Sequence, residues 1–239
     1  MDAALDKPAM LGMLICIAPH RSPELWGFSY LGVTMALRAL VVMDYQNVHL
    51  TGHDLFAPAG TPKHESLIHP LYYANQVIGA RNHRQMLAGG AGGQAAELAA
   101  VEVYQGQPSN KHDPKPYSRS LAHKSEWTRD RRVTVNYRPL RYYWDHQLGD
   151  HRKQEKGVDV LVALRVVKAA EVGDFDIVIL ASHDTDLEPA LEDAVARGSI
   201  AVETAAWRGG KRLAPKLSID RNALDGGAFV RARDRKNYD

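Results

Sequence analysis

Asp176-Ile-Val-Ile-Leu-Ala-Ser-His-Asp-Thr-Asp-Leu-Glu-Pro-Ala-Leu191 decides how this chain is read. Ile177–Ala181 is an unbroken apolar run, short and β-branched, as expected of a strand buried on both faces. Ser182–Asp186 breaks it with two carboxylates. Leu187-Glu188-Pro189 then opens an amphipathic pattern with proline in a first helical turn, where its missing N–H costs little. A strand, an acidic turn and a helix in this order fit an open α/β sheet, in which ligands bind at the carboxyl ends of the strands.

The same grammar recurs outward from that stretch. Ala39–Asp44 (ALVVMD) is a second apolar strand ending in an acid, followed by Gln46, Asn47 and a polar loop over Thr51–Glu65. Helical spacing marks Ser66–Leu87, and the glycine run 89–93 reads as a linker rather than a phosphate loop, since no strand precedes it and no Lys-Ser/Thr follows. Strands are expected at Ala96–Gln105, Arg132–Tyr137 and Ile200–Trp207, and helices near Ser118–Arg129, over Gly157–Val172 and from Leu187 to Arg197. Pro139–Lys156 reads as a basic connector. Strands alternating with helices predict a Rossmann-like three-layer α/β/α sandwich around a mostly parallel sheet.

The 239 residues suffice for one such domain, at 45% hydrophobic and 24% charged content. The expected division is an N-terminal extension over 1–34, with Met35 a natural start for the first strand, then a domain over 35–210 and a basic tail over 211–239, its last stretch RARDRKNYD mobile. Cys16 is the single cysteine, which excludes a disulfide framework and a cysteine zinc site and suits a cytoplasmic setting. Met10–Pro19 is too short to span a bilayer, so no membrane partner is expected. A net charge of +2 excludes general polyanion binding, but Lys111–Lys156 holds twelve Lys/Arg against six Asp/Glu, interleaved with Trp127, Tyr137, Tyr142, Tyr143 and Trp144. Arg131, Arg132 and Arg141 are the candidate phosphate contacts for an RNA strand.

Three acidic features converge in type. Asp44 ends one strand. Asp184 and Asp186, two apart, share a face if the chain stays extended. Asp159, in the first turn of its helix, falls on the side of Val162, Ala163 and Val166, the face expected to pack on the sheet. Each acid alone has a plain reading: Asp186 as a helix cap, Asp184 as a turn residue, Asp44 as a strand-end residue, Asn47 as a turn cap. Pooled carboxylates repel unless a hard cation neutralises them, and Mg²⁺ or Mn²⁺ with oxygen ligands fits that need and supports phosphodiester hydrolysis. His183 should point away from this face as a packing or surface residue.

Val41-Val-Met-Asp-Tyr-Gln-Asn47, Glu155-Lys-Gly-Val-Asp159 and Ala181-Ser-His-Asp-Thr-Asp186 together resemble the NYN domain family, PIN-like nuclease domains, over about residues 36–207. The resemblance implies a Mg²⁺- or Mn²⁺-dependent ribonuclease hydrolysing RNA phosphodiester bonds. It implies Asp44, Asp159, Asp184 and Asp186 as metal-site acids, with Asn47 and Ser182 as polar residues beside them. Two other functions stay open at this point: a non-catalytic RNA-binding or regulatory module, and a small-molecule phosphohydrolase. The latter lacks a nucleophile motif, because Asp44 is followed by Tyr-Gln-Asn. Exposed faces of the 66–87 helix leave room for a homodimer.

Overall fold

The structure, a computed structural model, describes residues 35–88, 94–147 and 149–238, all within the compact unit Met35–Asp239. The expected extension over 1–34 and the glycine linker at 89–93 lie outside the described residues. The chain runs β1 (Leu37–Asp44), α1 (Tyr45–Phe56), α2 (Pro70–Leu87), β2 (Ala96–Gln107), α3 (Pro114–Trp127) and β3 (Val133–Pro139). It continues through β4 (Arg141–Asp145), β5 (Asp150–Gln154), α4 (Val158–Val172), β6 (Ile177–Ala181), α5 (Glu188–Arg197), β7 (Ala201–Trp207), β8 (Asp220–Leu224) and α6 (Gly226–Ala232). Among the described residues no helix is long and apolar enough to cross a membrane.

Six strands form one sheet in the order β3-β2-β1-β6-β7-β8, and every neighbouring pair is parallel. The three-layer α/β/α sandwich follows from the period of two in the strands. Ala39, Val41 and Met43 face one core with Val48, Tyr73, Val77, Trp207 and Phe229, from α1, α2, β7 and α6. Leu40 and Val42 face the other, with Val162, Val166, Leu191 and Ala194 from α4 and α5. Central strands covered on both faces read as continuous apolar runs, and β6 is buried at every position.

Four expectations change. The residues after Asp44 form helix α1, which takes in the first part of the expected polar loop, 51–56; it is capped by the Asp44 side chain and seated through Tyr45, Val48, His49 and Gly52. The basic connector folds into the antiparallel β4–β5 ribbon, which stands apart from the main sheet. The span 211–239 is not a tail: β8 pairs in parallel with β7, and α6 packs Ala228, Phe229 and Ala232 into the core. Helix α3 begins at Pro114, ahead of the expected 118.

Candidate active site: an acidic cleft at the sheet's carboxyl edge

The strand order reverses direction on either side of β1. Successive connections place β2 and β3 to one side of it and β6, β7 and β8 to the other, so the gap above β1 and β6 is the switch point where such sheets bind ligands. Asp44 ends β1 there, and Ala181 ends β6 beside it. Helix α4 leads down into β6, which puts its first turn and Asp159 at the same edge.

Asp44 is the floor of the cleft. It is 6% exposed, and two groups fix it. Ser182 Oγ donates to its Oδ2 at 3.1 Å, and the Asn47 N–H donates to Oδ1 at 3.4 Å as the helix cap. Burial pushes its pKa from 3.8 up to about 6. These two hydrogen bonds oppose the rise, and the negative charges of Glu155 and Asp184 add to it.

Ser182, fully buried, couples two acids: besides serving Asp44, its Oγ accepts the Asp184 N–H at 3.1 Å. Asp184 Oδ1 accepts the Asp186 N–H at 3.0 Å, closing a short turn that becomes one 3₁₀ turn at Thr185–Leu187. Asn47 ties α1 to this turn, its Oδ1 accepting the His183 N–H at 2.7 Å. That carbonyl is therefore already engaged, so Asn47 positions the turn.

His183 behaves as expected of a packing residue. It is buried, with Nδ1 donating to the Lys211 carbonyl (2.7 Å) and Nε2 accepting the Trp207 N–H (3.1 Å). These partners fix the neutral tautomer, and burial lowers its pKa further.

A further acid, Glu155, acts on Asp44; the sequence motifs contain it without assigning it a role. Register puts Tyr104 of β2 level with Asp44, and β2 runs on to Gln107, about 10 Å higher. On that overhang the Gly106 N–H donates to Glu155 Oε2 at 2.6 Å. Burial raises the Glu155 pKa, and the Asp159 charge adds to it. Gly106 makes the contact possible: a Cβ there would stand 2.6 Å from the Glu155 carboxylate and 2.3 Å from Leu140 Cδ2. The turn that follows is built similarly, with Arg138 Nε donating to the Lys156 carbonyl (2.6 Å) and Gly157 at φ +79° beneath the guanidinium.

The remaining expected residues divide. Asp159 is exposed rather than inward, and in the same turns Val158 and Val162 are the buried residues. Asp186 is exposed, and no contact ties its carboxylate to Asp44 or Asp184; the strand ends at Ala181, so the alternation that would have aimed it with Asp184 stops first. Arg131 and Arg132 are not at the cleft. The Arg132 carbonyl accepts the Val101 N–H, placing it four residues, about 13 Å, below the level of Asp44. The Arg132 guanidinium is also occupied, by Asp130 at 3.0 and 2.8 Å. Arg141 is exposed at the start of β4. Among the described residues no three His, Cys, Asp or Glu side chains converge as ligands of one metal ion.

No family model matches the sequence, and no curated protein matches it. Among solved structures the chain is similar to a protein of unknown function from Vibrio parahaemolyticus, with 21% identity and a TM-score of 0.47 over 82% of this chain and 96% of that one.

Proposed function

We propose that this protein is a cytoplasmic ribonuclease of the NYN kind, dependent on Mg²⁺ or Mn²⁺, and that the acidic cleft is its active site. The observation that carries this reading is Asp44: a buried carboxylate with its pKa at about 6, in the field of Glu155 and Asp184. A protein has little structural reason to gather acids around a buried acid, since each raises the cost of ionising the others.

The donor set suits a hard cation. Asp44 and Asp184 would hold it, with Glu155 and Asp159 reaching it through water; this matches an ion that keeps much of its hydration and takes only one or two carboxylates directly. Asp186 drops out of that set. When bound, such a cation activates water and neutralises charge on the scissile phosphate. The chain's own contribution is positioning. Ser182 holds Asp44 and the Asp184 backbone in one register, and Asn47 locks the turn that carries Asp184. Gly106 and Gly157 let the Glu155 segment close against the overhang.

A gel assay tests the reading with labelled single-stranded RNA, duplex RNA and DNA, in Mn²⁺ or in EDTA. Cleavage of RNA that needs the metal and disappears in Asp184→Asn is the expected result. Binding without cleavage would instead make the protein a regulatory module. Preferential hydrolysis of small phosphate esters would move it to the phosphohydrolases.

A further inference from the structure

The β4–β5 ribbon carries aromatic surface that the fold does not use. Register sets its two faces, because directly opposed residues in an antiparallel pair point the same way. Tyr142, Trp144, His151 and Lys153 share one face; Arg141, Tyr143, Arg152 and Gln154 share the other. An isolated two-stranded ribbon is marginal in water, so it needs anchors. The first face supplies them: the Tyr142 hydroxyl donates to Asp113 (2.7 Å) and accepts the Ser109 N–H (3.0 Å), its ring stacks on His112 at 4.7 Å, and Lys153 pairs with Asp113 at 3.1 Å.

Anchoring explains Tyr142. It does not explain Tyr143 or Trp144, each 49% exposed. Tyr143 lies on the outer face beside Arg141 and Arg152, and Trp144 meets the His151 ring edge-on at 5.2 Å. Large rings left half open on both faces of the ribbon, Tyr143 beside Arg141 and Trp144 on the opposite face, offer bases places to stack while cations meet phosphates. The root of the ribbon fixes where such a strand leads. Gln154 ends β5, and the next residue is Glu155, one of the acids of the cleft.

We propose that the β4–β5 ribbon is an arm for single-stranded RNA. The strand wraps the ribbon, with one base on Tyr143 and another on Trp144 of the opposite face; its phosphates meet Arg141, Arg152 being paired with Asp145 at 2.5 Å, and it is delivered past Glu155 into the cleft. The identity of the polymer rests on the ribonuclease reading; the stacking surface does not. A duplex keeps its base faces covered, so the arm selects unpaired strands.

The test is fluorescence anisotropy of the full chain in EDTA, with a short labelled oligouridylate and with an RNA duplex of equal length. The wild type is expected to favour the single strand. Tyr143→Ala with Trp144→Ala should weaken single-strand binding about tenfold or more and leave duplex binding unchanged. Tyr143→Phe with Trp144→Phe, which keeps both ring faces, should restore it and shows that loss is not misfolding. Unchanged single-strand affinity in the alanine pair, equal loss on duplex, or no wild-type preference for the single strand would overturn the proposal. The two readings fail separately. Ribbon-dependent binding without metal-dependent cleavage keeps the arm and removes the nuclease; cleavage with ribbon-independent binding does the reverse.

Discussion

Replacing Asp44 by asparagine should make the metal-free protein more stable while destroying the site. Burial holds the Asp44 carboxyl at about 6 against an ordinary 3.8. The folded-state pKa is raised, so this group's contribution to stability is fully present below 3.8 and is lost as pH rises through about 6. Above that window the ionised, buried carboxylate opposes folding by about 3 kcal/mol, at 1.36 kcal/mol per pKa unit. An asparagine side chain keeps one oxygen to accept the Asn47 N–H and turns its Nδ2 to donate to Ser182 Oγ, and it carries no charge to desolvate. Asp44→Asn should therefore raise the melting temperature in EDTA at about pH 8 by roughly 6–12 °C, for a domain of this size. The gain should vanish near pH 4, where both side chains are neutral. His49 and His123, whose pKa values burial lowers to about 4, tilt stability the other way across the same window. Both proteins share those histidines, so the difference between their melting curves isolates Asp44. Saturating Mn²⁺ should reverse the ranking, since only the wild type gains from binding. An Asp44→Asn protein less stable than wild type at alkaline pH, or a gap independent of pH, would refute the reasoning.

Three further outcomes follow from the same geometry. Gly106→Ala forces a Cβ into the Glu155 carboxylate and should cost about 1–3 kcal/mol by overpacking, with RNA cleavage falling more than stability alone explains; denaturant melts and initial rates check both. Ser182→Ala removes a hydrogen bond that stabilises ionised Asp44, so its pKa should climb further and the acid limb of the cleavage–pH profile should move to higher pH. Glu203→Gln should be the opposite kind of variant. Glu203 is 3% exposed and takes Arg81 and Arg84, each at 3.2 Å; Arg84 keeps Asp220 at 2.8 Å, but the substitution leaves buried Arg81 without its carboxylate and should cost about 3 kcal/mol in urea unfolding. Its cleavage rate per folded molecule should stay at the wild-type value.

What could be read from the sequence was whatever local pattern controls. Ile177–Ala181 and Ala39–Asp44 show as strands because central parallel strands are apolar on both faces, and acids ending such runs stand out. Helix α1 was hidden because its inner face uses Tyr45, His49 and Gly52, a set with little apolar periodicity. Gly52 instead serves close approach: a Cβ there would meet the Trp207 indole at 2.8 Å. The ribbon was hidden because every residue of β5 is exposed, so no alternation marks it. Strand β8 closes the sheet's edge with Asp220, Arg221 and Ala223 outward, leaving only Asn222 and Leu224 as buried signals. Glu155 depends on a partner 49 residues away, a distance that spacing rules do not bridge. Arg131 and Arg132 show the reverse error: charge counted along a segment ignores register, which puts them well below the cleft.

The central claim is that these carboxylates form one divalent-cation site. Titration of the metal-free protein with Mn²⁺, followed by the loss of the free ion's electron paramagnetic resonance signal, measures this without reference to any substrate. Saturable binding by the wild type, weakened about tenfold or more in Asp44→Asn and in Asp184→Asn, is the result the account predicts. No binding at Mn²⁺ concentrations that support nuclease activity, or equal binding by all three proteins, would contradict it.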